Sequence, residues 1–205
     1  DVAVGDISRF VMTYNGDTAT RMGFTWYTSQ ASVGSDVEVV PATEGAQPDF
    51  SAAQKFTGRF SMSTNAPEYL LHKATATGLI PGVTYAFRVG DAKLNLWSQT
   101  GTFTTDNRDG SFSFINLADS QAKSAEEAEL AADTFVIAHD TVKGADFMVL
   151  NGDVVDTGMK EEEWGWLMDA ASKAFFNLPF MAVSGNHDED NQSFYEHFNL
   201  EPAEG

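Results

Sequence analysis

The chain of 205 residues contains no cysteine and no apolar run long enough to cross a bilayer. The lack of cysteine excludes disulfides and thiolate metal ligands, although it does not fix the compartment, since cytosolic and secreted proteins both lack cysteine. A membrane helix needs ~18 or more apolar residues in a row, so no membrane span is expected. Residues 1–3 show no signal-peptide pattern and fit the start of a mature or trimmed chain equally well.

Basic residues are also scarce, and the acidic surplus is uneven. The formal net charge is −18; residues 1–106 carry 10 acidic and 7 basic residues, whereas residues 107–205 carry 20 and 5. This balance argues against nucleic-acid contact, because phosphate binding needs clusters of lysine and arginine. The surplus acidic residues either form a solvated surface, which is their more ordinary role, or have part of their charge offset by bound cations. The polar stretch 105–110 at the charge shift predicts two domains, residues 1–105 and 106–205.

The first predicted domain shows several short strands and no convincing helix. Met22, Phe24 and Trp26 lie on one face of a predicted strand, with Gly23 and Thr25 on the other face. Glycine and proline mark the turns between the strands. The pattern predicts an antiparallel β-sandwich of the immunoglobulin or fibronectin type III kind, with Trp26 in its core.

The second predicted domain alternates strands and helices, which indicates parallel strands joined by right-handed crossovers. The predicted strands are residues 112–117, 147–150 and 180–183, and the predicted helices are residues 122–140, 159–177 and 193–198. Ser124 and Glu127 predict a capping box for the first helix. Its predicted apolar stripe consists of Leu130, Ala131, Phe135 and Ile137. A sheet that ends at its third strand has an unpaired edge, which predicts self-association through that edge.

Each predicted parallel strand is followed by a polar cluster: Asp119-Ser-Gln121, Gly152-Asp-Val-Val-Asp156 and Gly185-Asn-His-Asp188. The carboxyl ends of neighbouring parallel strands converge on one crevice. A pair of divalent cations ~3.5–4 Å apart needs a shared carboxylate and further oxygen or nitrogen ligands on each metal. We therefore predict that Asp153 bridges two metals, that Asp119 binds one, and that the amide oxygen of Asn186 binds the other.

His187 follows Asn186 directly at the predicted crevice. An imidazole beside the metals stabilises developing phosphate charge or protonates the leaving alkoxide, which makes His187 the candidate catalytic residue. Asp188 either orients this imidazole or is an ordinary loop residue. A blander interpretation remains open, in which all three clusters are turn and cap residues of an unrelated α/β domain.

The two glycine motifs together, Gly-Asp-x-x-Asp at 152–156 and Gly-Asn-His-Asp at 185–188, resemble the calcineurin-like metallophosphoesterase superfamily. The run 76–90, with its Gly-Leu-Ile-Pro-Gly-Val-Thr-Tyr element, resembles the fibronectin-type domain that precedes purple acid phosphatase catalytic domains. The resemblance covers nearly the whole chain. It implies an N-terminal fibronectin III-like β-sandwich followed by the first βαβαβ half of a metallophosphoesterase α/β sandwich, in bacterial, secreted or cell-surface relatives.

The resemblance further implies a metallophosphoesterase, which is a phosphoric ester hydrolase. Its substrate would be a phosphate-ester small molecule or a phosphorylated substrate, attacked by water that two divalent metal ions (Fe, Zn or Mn) activate. Asp119, Asp153 and Asn186 match family metal ligands, and His187 matches the catalytic histidine. Many superfamily members have histidine at the position of Gln121, whose amide here ligates a metal, faces substrate or does neither; we keep it as a candidate metal ligand.

Two further departures from the family pattern affect the expected activity. Purple acid phosphatases have a tyrosine at the position of Asp156, so the purple colour and a tightly held ferric ion are not expected; Asp156 is a candidate for supporting the site from outside the ligand set. The family pattern also continues with two histidine-bearing motifs, the last being Gly-His-x-His, that these 205 residues do not contain. The chain is therefore expected to be about half of a catalytic domain, with weak metal binding and weak hydrolysis.

A binding function is the alternative that remains. A cell-surface interaction protein with a vestigial esterase domain is favoured by the missing motifs and by Gln121. It is opposed by the joint presence of Asp119, Asp153, Asn186 and His187, which a site without metal chemistry has no reason to keep together. The remaining histidines near this region, His139 and His197, are expected to be structural or exposed.

Overall fold

The computed structural model describes residues 6–188 and 192–200; the predicted chain start, residues 1–3, lies outside this part. Within these described residues, nine short strands precede a parallel sheet, which confirms the predicted order of a β-sandwich and an α/β unit. The sandwich strands are β1 Ser8–Thr13, β2 Met22–Ser29, β3 Asp36–Pro41, β4 Gln54–Thr57, β5 Arg59–Met62, β6 Tyr69–Ala76, β7 Thr84–Asp91, β8 Leu96–Trp97 and β9 Gly101–Thr104.

Two antiparallel sheets form the sandwich. One has the order β1-β2-β6-β5, and the other has the order β4-β3-β7, with β8 and β9 both paired to β7. The consecutive strands β4 and β5 belong to different sheets, and the chain crosses between the sheets at Gly58. A Cβ on Gly58 would lie 2.0 Å from the carbonyl oxygen of Lys73, so only glycine allows this crossing.

The sandwich core contains the predicted side chains: Met22, Phe24 and Trp26 are fully buried. The alternation in β2 predicts one buried face, but the structure buries both, because the α/β unit packs on the second face. Tyr27 stacks on the ring of His197 at 5.1 Å, and a Cβ on Gly23 would lie 2.9 Å from the carbonyl oxygen of Asn199. The two halves of the chain therefore share one interface that hydrophobic periodicity does not reveal.

The parallel sheet has the order β10-β11-β12, with β10 Phe114–Leu117, β11 Phe147–Asn151 and β12 Phe180–Val183. The helices are α1 Ala125–Thr141, α2 Glu161–Ala170, α3 Ser172–Phe175 and α4 Gln192–His197. The single helix predicted over 159–177 is wrong, because the backbone leaves helical geometry at Ala171 (φ −81°, ψ 4°) and α3 follows as a separate turn. Within the described residues, neither β10 nor β12 has a strand on its outer edge. The self-association predicted through the edge of the third strand, β12, stays a prediction.

Helix α1 starts as the sequence predicts but turns a different face to the sheet. The Ser124 hydroxyl accepts the backbone N–H of Glu127 at 3.2 Å, while the Glu127 carboxylate returns to the N–H of Lys123 at 3.1 Å rather than to that of Ser124. Leu130 and Ile137 are each 64% exposed, so the predicted apolar stripe is wrong for both. The buried side chains of α1 are Ala128, Ala132 and Phe135, and the two exposed residues lie roughly 140–160° around the helix from Phe135.

No helix in the described part of the chain is long and apolar enough to cross a membrane.

The buried His72 makes the stability of the sandwich pH-dependent. Its ring contacts the hydroxyls of Thr28 (2.7 Å) and Ser35 (2.9 Å) and stacks on Trp26, and burial lowers its pKa from 6.5 to about 4. Because the folded pKa lies below the unfolded value, the stabilisation is complete above pH 6.5 and is lost as the pH falls through 4. We predict that the stability advantage of the wild type over His72→Gln shrinks by about 3 kcal/mol between pH 7 and pH 4.

Urea unfolding of both proteins across this pH range measures the effect. Parallel pH profiles for wild type and His72→Gln would contradict the assignment of the effect to His72.

Candidate metal centre

The three polar clusters lie together at the carboxyl edge of the parallel sheet, joined by backbone hydrogen bonds. The N–H of Asp119 donates to the carbonyl of Gly152 at 3.2 Å, and the N–H of Gln121 donates to the carbonyl of Asp153 at 3.0 Å. The Asp153 carboxylate in turn accepts the N–H of His187 at 2.9 Å. The loops that follow β10, β11 and β12 therefore form one continuous edge, as the parallel arrangement predicts.

The loops after β11 and β12 approach so closely that they need glycine. A Cβ on Gly185 would lie 2.1 Å from the Asp153 carboxylate oxygen and 2.4 Å from the Asp153 backbone nitrogen. Gly152 has φ +90°, and a Cβ there would lie 3.3 Å from the Cα of Gly185. One glycine is thus required for space and the other mainly for its backbone angle.

Left-handed backbone angles mark the same edge. Asp119 (φ 56°), Gln121 (φ 37°) and Asp153 (φ 53°) have positive φ, although none of them is glycine. Such angles cost roughly 1–3 kcal/mol each and persist only where the surroundings enforce them, often at functional sites. The sequence carries no signal for these angles beyond the tolerance of aspartate for this region.

Asp188 connects the loops after β11 and β12. It is fully buried, and its two carboxylate oxygens accept the N–H groups of Val155 (3.0 Å) and Gly185 (2.9 Å). Burial raises its pKa, although these hydrogen bonds act in the opposite direction. Two roles were left open for Asp188, orientation of the imidazole or an ordinary loop role. These contacts favour the loop role, since they hold the two loops together.

The hydrogen bond that orients the His187 ring comes from the backbone of Asp156. The ring Nδ1 lies 2.9 Å from the Asp156 carbonyl oxygen and 3.4 Å from its carboxylate. A carbonyl only accepts, so Nδ1 carries the proton. This hydrogen bond, followed by the negative charge of Asp153 and Asp156, raises the pKa of His187. Asp156 therefore lies beside the His187 ring, in the supporting position predicted for it. Its main contact with the ring is made by its backbone carbonyl, which sequence reasoning missed.

The donor set fits a divalent cation by type. The candidate ligands Asp119, Asp153, Gln121 and Asn186 offer carboxylate and amide oxygens, which divalent cations such as Mn²⁺ bind. Over residues 6–188 and 192–200, no three His, Asp or Glu side chains form a metal-holding group. His197 is buried against Glu161 and Trp164, away from this edge.

Two family models match the chain, one on each side of the charge shift. The model described as the purple acid phosphatase N-terminal domain matches residues 7–105, and the model described as calcineurin-like phosphoesterase matches residues 112–204. No protein of curated function matches the chain in sequence. The division at 105/106 itself stays a prediction.

Among solved structures, purple acid phosphatase PPD1 from yellow lupin (Lupinus luteus) seeds superposes with a TM-score of 0.72 at 16% identity, covering 91% of this chain and 36% of that chain. The chain thus spans about a third of the lupin protein, and the similarity shows the fold. A redesigned β-sandwich protein matches at 20% identity, with a TM-score of 0.30, over 49% of this chain and 93% of its own. The sensor domain of the anti-sigma factor RsgI4 of Pseudobacteroides cellulosolvens matches at 16% identity, with a TM-score of 0.31, over 52% and 98%.

The two family models match the chain in the same order as its β-sandwich and its α/β unit. Residues 7–105 are therefore similar to the purple acid phosphatase N-terminal domain, and residues 112–204 are similar to the calcineurin-like phosphoesterases.

Proposed function

We propose that the protein is a metal-dependent phosphoesterase that hydrolyses phosphate-ester small molecules or phosphorylated substrates, outside the cell or at its surface. The observation that carries this proposal is the hydrogen-bonded convergence of Asp119, Asp153 and His187 on one sheet edge. This convergence lies within the residues that match the phosphoesterase family model.

The ligand roles follow from the position and charge of each side chain. Asp153, in the middle loop, would be the shared carboxylate, Asp119 would serve one metal, and the neutral amides of Asn186 and Gln121 would add oxygen ligands without adding charge. Two divalent cations of Fe, Zn or Mn bound there would offset the negative charge of the phosphate oxygens and lower the pKa of water.

His187 acts on the leaving group in this proposal. Its Nδ1–H is engaged by the Asp156 carbonyl, so Nε2 is the ring nitrogen for contact with substrate. In the imidazolium form, the Nε2–H would stabilise or protonate a departing alkoxide. Removing such a group costs about 10²–10⁴-fold in rate, which is the loss expected for His187→Asn.

The full product of the gene that encodes these residues is the protein to assay. Hydrolysis of p-nitrophenyl phosphate and bis-p-nitrophenyl phosphate separates monoesterase from diesterase activity. We expect hydrolysis that is lost with a chelator and restored by Mn²⁺, Zn²⁺ or Fe²⁺, and much weaker activity from the 205-residue chain alone. Failure of every metal to support hydrolysis of either ester by the full product would contradict the proposal.

A surface binding protein with a vestigial esterase domain is the second candidate. The lack of three converging acidic or histidine side chains in the described residues favours it. Calorimetric titration of the full gene product with Mn²⁺ discriminates between the two, since an enzyme of this kind binds two metal ions tightly and a vestigial domain does not.

A further inference from the structure

The turn that carries the Asp156 carbonyl contacts His187 at two points. The Asp156 carbonyl accepts the ring Nδ1–H at 2.9 Å. Two residues later, the N–H of Gly158 donates to the carbonyl of His187 at 3.0 Å. The segment 156–158 therefore fixes both the main chain and the ring of His187, and anything that moves this turn also moves the hydrogen bond at Nδ1.

Two side chains from the start of α2 hold this turn. The indole Nε1–H of Trp164 donates to the carbonyl of Gly158 at 2.9 Å, in a fully buried contact. The Glu163 carboxylate is 1% exposed and accepts the N–H of Thr157 at 2.7 Å, while its other oxygen pairs with the Lys160 ammonium at 3.0 Å. The turn is thus tied at Thr157 and Gly158 to two consecutive residues of one helix.

Helix α2 is itself fixed from the other side. The Trp164 ring stacks on the buried His197 ring at 4.4 Å, and His197 contacts the Glu161 carboxylate at 3.2 Å. Because these groups are buried and packed, Trp164 has little freedom to follow the turn if the turn moves. The helix therefore acts as a rigid support for segment 156–158.

A neutral imidazole carries one proton, and the partner of one nitrogen decides which nitrogen holds it. A carbonyl at Nδ1 selects the Nδ1–H tautomer and leaves Nε2 as the nitrogen that exchanges protons. We propose that Trp164 and Glu163 are positioning residues that hold the Asp156 carbonyl against the His187 ring and so select this tautomer. The consequence for hydrolysis rests on the function proposed for His187; the tautomer itself does not.

Nitrogen and carbon NMR shifts of the His187 ring, assigned with His187→Gln, measure the tautomer in the neutral state without metal or substrate. Trp164→Phe keeps an aromatic ring against His197, removes the N–H donor and makes the buried side chain smaller. We expect the Nδ1–H tautomer to dominate in the wild type and its ratio to the Nε2–H form to fall about fivefold in this variant, the value of one ordinary hydrogen bond. Trp166→Phe is the matched control; it lies on the same helix roughly 160° away and should leave the ratio unchanged.

Glu163→Ala provides a second test if Trp164→Phe does not fold. It should also lower the tautomer ratio, whereas Glu163→Gln, whose amide oxygen still accepts the N–H of Thr157, should restore most of it. An unchanged ratio in either folded variant overturns the proposal. A wild-type ring that is mainly Nε2–H overturns it as well, whatever the variants do.

Kinetics of the full gene product separate this proposal from the proposed function. If the protein hydrolyses phosphate esters, Trp164→Phe should lower kcat about tenfold with little change in KM, as supporting residues around a metal site commonly do. An active enzyme whose kcat is the same in Trp164→Phe would also count against the positioning role. A full gene product without any hydrolysis, but with the expected tautomer, would refute the proposed function and leave the positioning role standing.

Discussion

Asp153→Asn is expected to abolish tight divalent-cation binding and to lower phosphate-ester hydrolysis by the full gene product about a thousandfold or more. The substitution keeps the size of the side chain and an oxygen that accepts the N–H of His187. It removes the negative charge of the carboxylate that is proposed to bridge the two cations. Because two adjacent cations repel each other, the bridging charge is the ligand whose loss should affect both.

Asp133→Asn is the matched control for this prediction. It makes the same change of charge on the exposed surface of α1 and should leave metal binding and hydrolysis unchanged. Titration with Mn²⁺ followed calorimetrically gives the binding result, and thermal unfolding shows whether each variant is folded. A folded Asp153→Asn protein that binds two Mn²⁺ ions as tightly as the wild type would remove Asp153 from the ligand set.

Glu161→Gln is expected to lower the free energy of unfolding by about 3–5 kcal/mol, the usual cost of removing one partner from a buried ion pair. The Glu161 carboxylate lies 2.9 Å from Nε of Arg9 and 3.2 Å from Nε2 of His197, and the side chains of all three residues are at most 8% exposed. Arg9 belongs to strand β1 of the sandwich, whereas Glu161 belongs to α2 and His197 to α4. Loss of the carboxylate charge leaves the Arg9 guanidinium buried between the two halves of the chain.

The contact between Arg9 and Glu161 is chiefly ionic, since Nε and Oε1 lack the geometry of a directed hydrogen bond despite their short distance. The Arg9 guanidinium also lies over the ring of Tyr69 at 4.2 Å, which adds a cation–π contact that Glu161→Gln leaves in place. The predicted loss of stability in Glu161→Gln therefore measures the effect of removing the negative charge of Glu161. Glu162→Gln, at an exposed neighbouring position, is the control and should change stability by less than about 0.5 kcal/mol.

Urea unfolding of the three proteins measures both effects. A difference of less than about 1 kcal/mol between Glu161→Gln and Glu162→Gln would show that the buried pair contributes little. The double variant Arg9→Met with Glu161→Leu should recover part of the loss, because apolar side chains of similar volume need no compensation for buried charge.

The candidate site was predictable because its parts are local. Each of the three clusters follows an apolar strand, and the rule that parallel strands end at a common crevice brings them together without any knowledge of packing. Hydrogen bonds between the loops of Asp119, Asp153 and His187 confirm that convergence. The metal-ligand roles stay predictions.

Other features of the site depended on packing between distant segments. The hydrogen bond from Trp164 to Gly158 and the hydrogen bond from the His187 ring to Asp156 both end on backbone carbonyls. Every residue has such a carbonyl, so no sequence pattern distinguishes these two. The exposure of Leu130 could not be read from its apolar character, because the orientation of α1 is set by Phe135 against Phe175 and Phe180 at 6.0 and 6.3 Å.

The sequence by itself determined the order of a β-sandwich and a parallel α/β unit, the ends of the site strands and the residues at their carboxyl edge, since hydrophobic periodicity and turn residues act over a few positions. Only the tertiary structure decided that the sandwich carries the α/β unit on its second face. It also decided that Arg9 and Glu161 form a buried ion pair there, with His197 beside the Glu161 carboxylate. Such contacts join residues that are far apart in the chain, and the free energy of burying them depends on all the segments that exclude water from the interface.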